Sequence, residues 1–203
     1  MLLTFRTYAF ALMLCMMFLI GHSQEAQEAP SGESSDGVIS EKIASIKEHG
    51  LRETEDGSTV STRFSEEEIA RFLSGSNYVP GSVRDIQITL AGDNRFIASS
   101  VIDLDRIEVP TSDDLLNPMN YLQGQLPMVM KAKIHSEKSR GRLEIERGEL
   151  AGIELPDTLV REMIARYTRN ANNSDGWDID TFYAFPYRIK EVRIEPGQVI
   201  VVQ

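Results

Sequence analysis

Apolar residues recur along this chain with two different periods, and each period marks out its own elements. From Val38 to His49, Ile39, Ile43 and Ile46 fall at the i, i+4, i+7 spacing of one helical face, and Gly50 is a natural stop. Thr59 to Phe64 reads as extended. Ser65-Glu66-Glu67-Glu68 then forms a capping box, in which the serine hydroxyl and the carboxylate three residues on satisfy each other's backbone N–H groups, with Phe64 and Ile69 placed for a hydrophobic staple. The helix it opens, Glu66 to Leu73, carries Ile69, Phe72 and Leu73 on one side, and Gly75, Pro80 and Gly81 break the chain behind it.

The period then changes to two. Ile86, Ile88 and Leu90 alternate with Asp85, Gln87 and Thr89, the pattern of a half-buried strand, and Gly92-Asp93-Asn94 is its turn. Along the return arm, Phe96, Ala98, Ile102 and Leu104 keep one parity while Ile107 and Val109 keep the other, which predicts a bulge near Asp105. Between Phe96 and Ile102, Ile97 and Val101 oppose this set, so burial on both faces is expected there. Pro110 to Leu126 reads as a long loop or a short helix. In a second hairpin, Met128, Met130, Ala132 and Ile134 oppose Val129, Lys131, Lys133 and His135, Ser139-Arg140-Gly141 turns, and Leu143 and Ile145 return. Gly148 and Gly152 interrupt that arm in a way that suits curvature.

Leu155-Pro156-Asp157 opens another helix, with a stripe of Leu159, Val160, Met163, Ile164 and Tyr167, and Asn172-Asn173-Ser174-Asp175-Gly176 ends it. Strands from Tyr187 to Glu195 and from Gln198 to Val202, joined by Pro196-Gly197, complete the pattern. The order is helix, strand, helix, hairpin, hairpin, helix, hairpin.

Ahead of all this, Tyr8 to Ile20 is an unbroken apolar run behind Arg6, and Gly21-His22-Ser23 supplies the small residues of a cleavage site. The division that follows is a signal peptide over 1–23, a polar tether over 24–37, an amphipathic helix with its linker over 38–58, and an α+β domain over 59–203. Export to the periplasm or beyond is expected. The alternative, an uncleaved anchor, needs about 20 apolar residues, more than Tyr8 to Ile20 provides. Cys15 is the only cysteine and sits inside the leader, so the mature chain has no thiol for a disulfide, a nucleophile or zinc. Arg6 is the only charged residue of the leader, so the net charge moves from −10 to −11 on cleavage, which disfavours nucleic acid as a partner.

Catalytic patterns are missing from the residues. His49 and His135 lie in no nucleophile, zinc or base motif, and His135, on the parity of Lys131 and Lys133, reads as a solvated strand position. The acidic pairs Asp103 with Asp105, Asp113 with Asp114 and Asp178 with Asp180 are too many for any one to stand out. Asp175 to Asp180 lacks the sixth-position glycine and twelfth-position glutamate of a calcium loop. No glycine-rich phosphate loop occurs. The reading is a non-enzyme without metal or cofactor.

The layout from Thr59 to Val202 resembles single-module bacterial relatives of the tubular lipid-binding (TULIP) superfamily. The carriers are Phe64-Ser65-Glu66-Glu67-Glu68-Ile69, the hairpin Ile86 to Leu104, Met130-Lys131-Ala132-Lys133, and Gly141-x-Leu143 leading to Glu149-Leu150. Leu155-Pro156 and the ending Ile194-Glu195-Pro196-Gly197-Gln198-Val199-Ile200-Val201 join them. The resemblance implies an α+β fold in which a curved antiparallel sheet of long hairpins wraps around two or three helices. It also implies a non-catalytic apolar groove, lined by Ile69, Phe72, Leu73, Leu159, Met163 and Tyr167 from the helices and by Ile88, Phe96, Met130 and Ile145 from the sheet. The expected partner is a lipid or another apolar small molecule; the alternative is a protein partner of the cell envelope, engaged by a domain with a solid core. Lys131, Lys133, Arg140 and Arg142 form a basic patch at one hairpin end, suited to transient contact with a membrane surface or to guarding a strand edge.

Overall fold

A computed structural model of the chain describes residues 36–52, 59–75, 79–106, 123–169 and 173–203. The leader, all but two residues of the tether, and most of the stretch expected to be a long loop or short helix lie outside them. The first helix, α1, spans Asp36–Leu51 and so takes in the last two residues assigned to the tether. β1 (Ser61–Ser65) runs directly into α2 (Glu66–Gly75), because the capping box stops the strand and starts the helix at one residue.

The two hairpins are β2 (Val83–Gly92) with β3 (Arg95–Asp103), and β4 (Gln125–Glu137) with β5 (Arg140–Leu150). Short β6 (Ile153–Glu154) follows, then α3 (Asp157–Tyr167), short β7 (Tyr183–Ala184), and the closing pair β8 (Glu191–Glu195) and β9 (Gln198–Val202). The fold is α+β, with three helices and two antiparallel sheets among the described residues. The larger sheet has the order β2-β3-β4-β5-β6, with β7 also on β5; the smaller is β1-β9-β8.

Alternation fixes which side of the larger sheet is buried. Ile86, Ile88 and Leu90 face inward beside Phe96 and Ile102, and beside Met128, Met130, Ala132 and Ile134. On the opposite parity, Ile97 and Val101 are half-buried, so the expected burial of the Phe96 to Ile102 arm on both faces does not occur. The parity change expected near Asp105 also takes a different form. A 3-10 turn over Leu104–Arg106 ends β3, and Ile107 to Val109 lie outside the described residues. The register shifts sit elsewhere: Asp85 adopts φ 55 at one slip of β2 against β3, Ala91 is extra at another just before their turn, and Glu146 is the extra residue opposite Lys131 and Ala132. The slip at Glu146 lets β5 bury Leu143 before it and Gly148 and Leu150 after it.

The turns follow their residue chemistry. Asp93-Asn94 and Lys138-Ser139 each take paired positive φ, the conformation that matches strand twist in a two-residue hairpin. The second hairpin therefore turns one residue earlier than Ser139-Arg140-Gly141. Gly152 belongs to the Ala151-Gly152 turn rather than to β5. Gly148 does lie in β5, where a Cβ would stand 3.2 Å from Cγ2 of Val160, so its bareness serves the approach of α3. α3 ends at Tyr167, ahead of the asparagine cluster. β8 is shorter than the expected Tyr187 to Glu195 strand, because Tyr187 and Arg188 adopt φ 53 and 58.

A seam of hydrogen bonds joins the two sheets. Asn94 at the β2–β3 turn donates its N–H to the Ile194 carbonyl (3.2 Å), accepts the Ile194 N–H on its Oδ1 (2.8 Å), and accepts the Ile134 N–H on its carbonyl (2.8 Å). Nearby, Val192 N–H donates to Ser136 Oγ (2.9 Å) and Ser139 N–H to the Lys190 carbonyl (3.2 Å).

The loop behind α3 is tied just as locally. Thr168 Oγ1 donates to the Ile164 carbonyl (2.7 Å) and accepts the Trp177 N–H (2.5 Å), which brings the buried Trp177 ring to 4.8 Å from that of Tyr183. Gly176 makes this path possible: it adopts φ +82, and a Cβ there would overlap the Ala165 carbonyl. Gly176→Ala combines backbone strain with overpacking, so it should cost about 2–4 kcal/mol. The urea midpoint should fall at unchanged m-value; an unchanged midpoint would show that the loop shifts freely.

Candidate functional site

The site begins at the start of α2. Ser65 Oγ accepts the Glu68 N–H (3.2 Å) and Glu68 Oε2 accepts the Ser65 N–H (2.9 Å), the reciprocal pairing that the capping box requires. One residue into the helix, Glu66 Oε1 accepts the Leu90 N–H (2.5 Å), and the Leu90 carbonyl accepts the Gly197 N–H (3.0 Å). Two polar groups of β2 that β3 does not pair are thereby closed. With α2 held in this way, Ile69 and Leu73 are buried and Phe72 is half-buried.

α1 lies over that apolar side, burying Ile39 and Ile46 with Ile43 at the margin. A cavity of about 40 Å³ remains between the two helices. α1 contributes Ile39, Ile43, Ile46 and Lys47 to it, and α2 contributes Ile69, Phe72 and Leu73. Phe64 of β1, Val201 of β9 and Tyr187 complete the lining. Protein interiors contain few voids larger than a water molecule, and a void needs roughly 10–15 Å³ to hold one. Nine of the ten lining residues carry apolar or aromatic side chains, so this partly open space presents an apolar surface.

Polar fastenings hold α1 along its length, and just past its end Arg188 Nη1 donates to the Arg52 carbonyl (2.7 Å). Lys42 Nζ donates to Glu68 Oε1 (2.6 Å) and Oε2 (2.8 Å) and to the Arg63 carbonyl (2.8 Å), and stands 5.6 Å from the centre of the Phe64 ring. Farther along, Gln203 Nε2 donates to the Ile46 carbonyl (2.9 Å) and the Tyr187 carbonyl (2.7 Å). Gly50 lies so close to the Tyr187 backbone that a Cβ would overlap it, which sets how near the end of α1 can come. Partial burial pushes the Glu68 carboxyl up, but the Lys42 ammonium and the two Ser65 hydrogen bonds outweigh it and hold the group below its ordinary 4.5.

The residues expected to form one groove fall into separate places. Ile69, Phe72 and Leu73 share the cavity. Ile88, Phe96 and Met130 are buried in the core on the inner face of the larger sheet, with Ile145 and Leu159 packed at its edge. Met163 is buried on α3, and Tyr167 is the last residue of that helix, its side chain outside the described residues. α2 packs on β2 while α3 packs on β5. These strands are three spacings apart in the sheet, roughly 14 Å, so the two helices stand over opposite parts of it.

No protein-family model, curated protein or solved structure matches this chain.

Sequence reasoning missed the α1 wall of the cavity, together with Phe64, Tyr187 and Val201. The Ile39, Ile43, Ile46 stripe showed that one side of α1 needs cover, but not which element supplies it. Other polar groups serve local structure. His135 is not simply solvated: its Nε2 lies 2.5 Å from Glu144 Oε2, and that hydrogen bond, against a smaller effect of burial, lowers the Glu144 carboxyl below its usual range. Asp178 accepts the Asp180 N–H (3.0 Å) and the Thr181 hydroxyl (2.8 Å), and Asp180 pairs with Arg161.

The Lys42–Glu68 fastening gives a pH-dependent expectation. Because the folded pKa of Glu68 is depressed, its contribution is present above the ordinary value of 4.5 and is lost as the pH falls through the lower folded value. A double-mutant cycle of Lys42→Met with Glu68→Gln should give a coupling of about 0.5–1 kcal/mol at neutral pH, the upper part of the range for partly exposed pairs. The coupling should vanish in acid. Persistence of the full coupling in strong acid would assign it to packing of the lysine stem.

Proposed function

We propose that the protein is an exported, non-catalytic binder of a lipid or similar apolar molecule, a half-TULIP-like module whose guest enters beneath α1. The observation that carries this reading is the apolar cavity between α1 and α2, which includes three of the residues expected to line a groove. At about 40 Å³ it accommodates a few methyl-sized groups, well short of the 300 Å³ or more of typical ligand pockets. An acyl chain is therefore received by displacing α1, whose three isoleucines occupy the place that the chain would take.

The energetics suit this exchange. Each methylene buried contributes about 0.8 kcal/mol, so a chain of about sixteen gives roughly 13 kcal/mol, enough to replace the roughly 4.5–9 kcal/mol that the three isoleucines of α1 give up and to offset the low end of its own loss of freedom, about 4 kcal/mol. Leu159 and Met163 on α3, with Ile88, Phe96, Met130 and Ile145 on the sheet, are packed in or against the core, so a longer guest would reach them only by parting it.

Protein purified without detergent should carry lipid in native mass spectrometry, identifiable after extraction. Ile43→Phe, which fills the cavity with the larger ring, should remove that lipid while the melting temperature stays the same or rises. A lipid-free mass, with no uptake on incubation with fatty acid or phospholipid, would move the function to a protein-interaction domain of the envelope. Retention of lipid by a folded Ile43→Phe protein would place the binding site elsewhere.

A further inference from the structure

Of the ten residues around the cavity, Lys47 alone carries a charge. It is half-buried on α1, one position beyond Ile46 and one turn beyond Ile43. In such a place a lysine stem adds to the apolar wall while its ammonium stays at the water boundary. A chain with 31 acidic and 21 basic residues would more often put a carboxylate there.

The carboxylates nearest Lys47 on the two helices are engaged elsewhere. Glu48 pairs with Arg52, Glu67 with Arg71 and Glu68 with Lys42. One turn either way along α1 stand Ile43, Ala44, Gly50 and Leu51, none of them charged. Lys47 already has an interaction within the chain. An ammonium has three N–H donors, however, so it can take an anionic group beside that partner.

The space beneath α1 also has a definite size. Ile39, Ile43 and Ile46 together hold about as many side-chain carbons as a dodecyl chain, and the cavity of about 40 Å³ adds room for a few methyl groups. When α1 yields, it therefore makes room for one acyl chain of about fourteen to sixteen carbons, and not for two.

We propose, resting on the reading of this cavity as a lipid site, that its guest is a single-chain anionic amphiphile, a long-chain fatty acid, with the tail between α1 and α2 and the carboxylate on the Lys47 ammonium. The flexible lysine stem lets the ammonium follow the head group as α1 moves outward over the tail.

The test compares radiolabelled palmitate with hexadecanol, which has the same chain and no charge, in equilibrium dialysis against the protein at pH 8. Palmitate should bind about fivefold more tightly, the scale of one charged contact at a partly exposed site. Lys47→Met, which keeps the stem and removes the charge, should bring palmitate down to the affinity of hexadecanol. Lys47→Arg should keep the difference and Lys47→Glu should reverse it. Lys133→Met removes an equal charge opposite Glu144 in the larger sheet and should leave the difference intact. Equal affinities for palmitate and hexadecanol, or a difference that survives Lys47→Met, would overturn the head-group assignment while an apolar site still stood. Competition by a two-chain phosphatidylcholine as strong as that by hexadecanol would overturn the single-chain limit. Binding of neither probe would remove the lipid reading itself, and this inference with it.

Discussion

Everything around the cavity depends on keeping two sheets that share no strand at a fixed relation, and Asn94 is where that relation is set. A type of turn with two consecutive left-handed residues leaves the backbone N–H and carbonyl of its second residue free to bond outward, and asparagine tolerates that conformation. Here the N–H goes to β8, the carbonyl to β4, and the side-chain oxygen returns to β8. β8 in turn pairs with β9, which supplies Val201 to the cavity wall and leads to Gln203, whose amide holds α1. A slip at the seam would move the cavity wall and the anchor of α1 together.

Local chemistry made much of this readable beforehand. The capping box at Ser65, the turns at Asp93-Asn94 and Pro196-Gly197, and the apolar parity of β2 and β4 all follow from interactions within a few residues, and the structure contains each of them. Other features come from partners distant in sequence. That Lys42 meets Glu68, or that Gln203 meets Ile46, has no local signature, so the covering of α2 by α1 could not be foreseen even though both apolar faces were plain. The Glu146 bulge was harder to see, because Glu146, Arg147, Gly148 and Glu149 separate Ile145 from Leu150 with no large apolar residue to mark where the parity changes. The shortening of β8 at Tyr187 and Arg188 ran against the preference of a bulky residue for extended backbone.

The candidate site shows a matching division. Ile69, Phe72 and Leu73 were accessible because their helix is well marked, whereas grouping them with Leu159, Met163 and Tyr167 assumed that apolar helix faces converge. In the structure α2 and α3 rest on different strands, and a second helix covers α2 instead. Apolar periodicity identifies surfaces that must be buried, but the partner is chosen by strand order, which a hairpin-by-hairpin reading leaves open.

A guest of the proposed cavity has to enter past the β2 edge or past α1. At Leu90 the β2 edge is closed by Glu66 and Gly197, and opening it there would expose a buried N–H and carbonyl at once. The α1 side is the easier route, since its fastenings include the partly exposed Lys42–Glu68 pair and side-chain hydrogen bonds from Gln203 and the exposed Arg188. Titration alone would not release it. An anionic membrane surface of about −30 mV lowers the local pH by roughly half a unit, whereas Glu68 is held below its ordinary 4.5 and would stay ionised near neutrality. On the proposed reading, opening comes from competition, with an apolar chain replacing the contacts of Ile39, Ile43 and Ile46 as they leave, so that a guest unable to replace them leaves α1 in place.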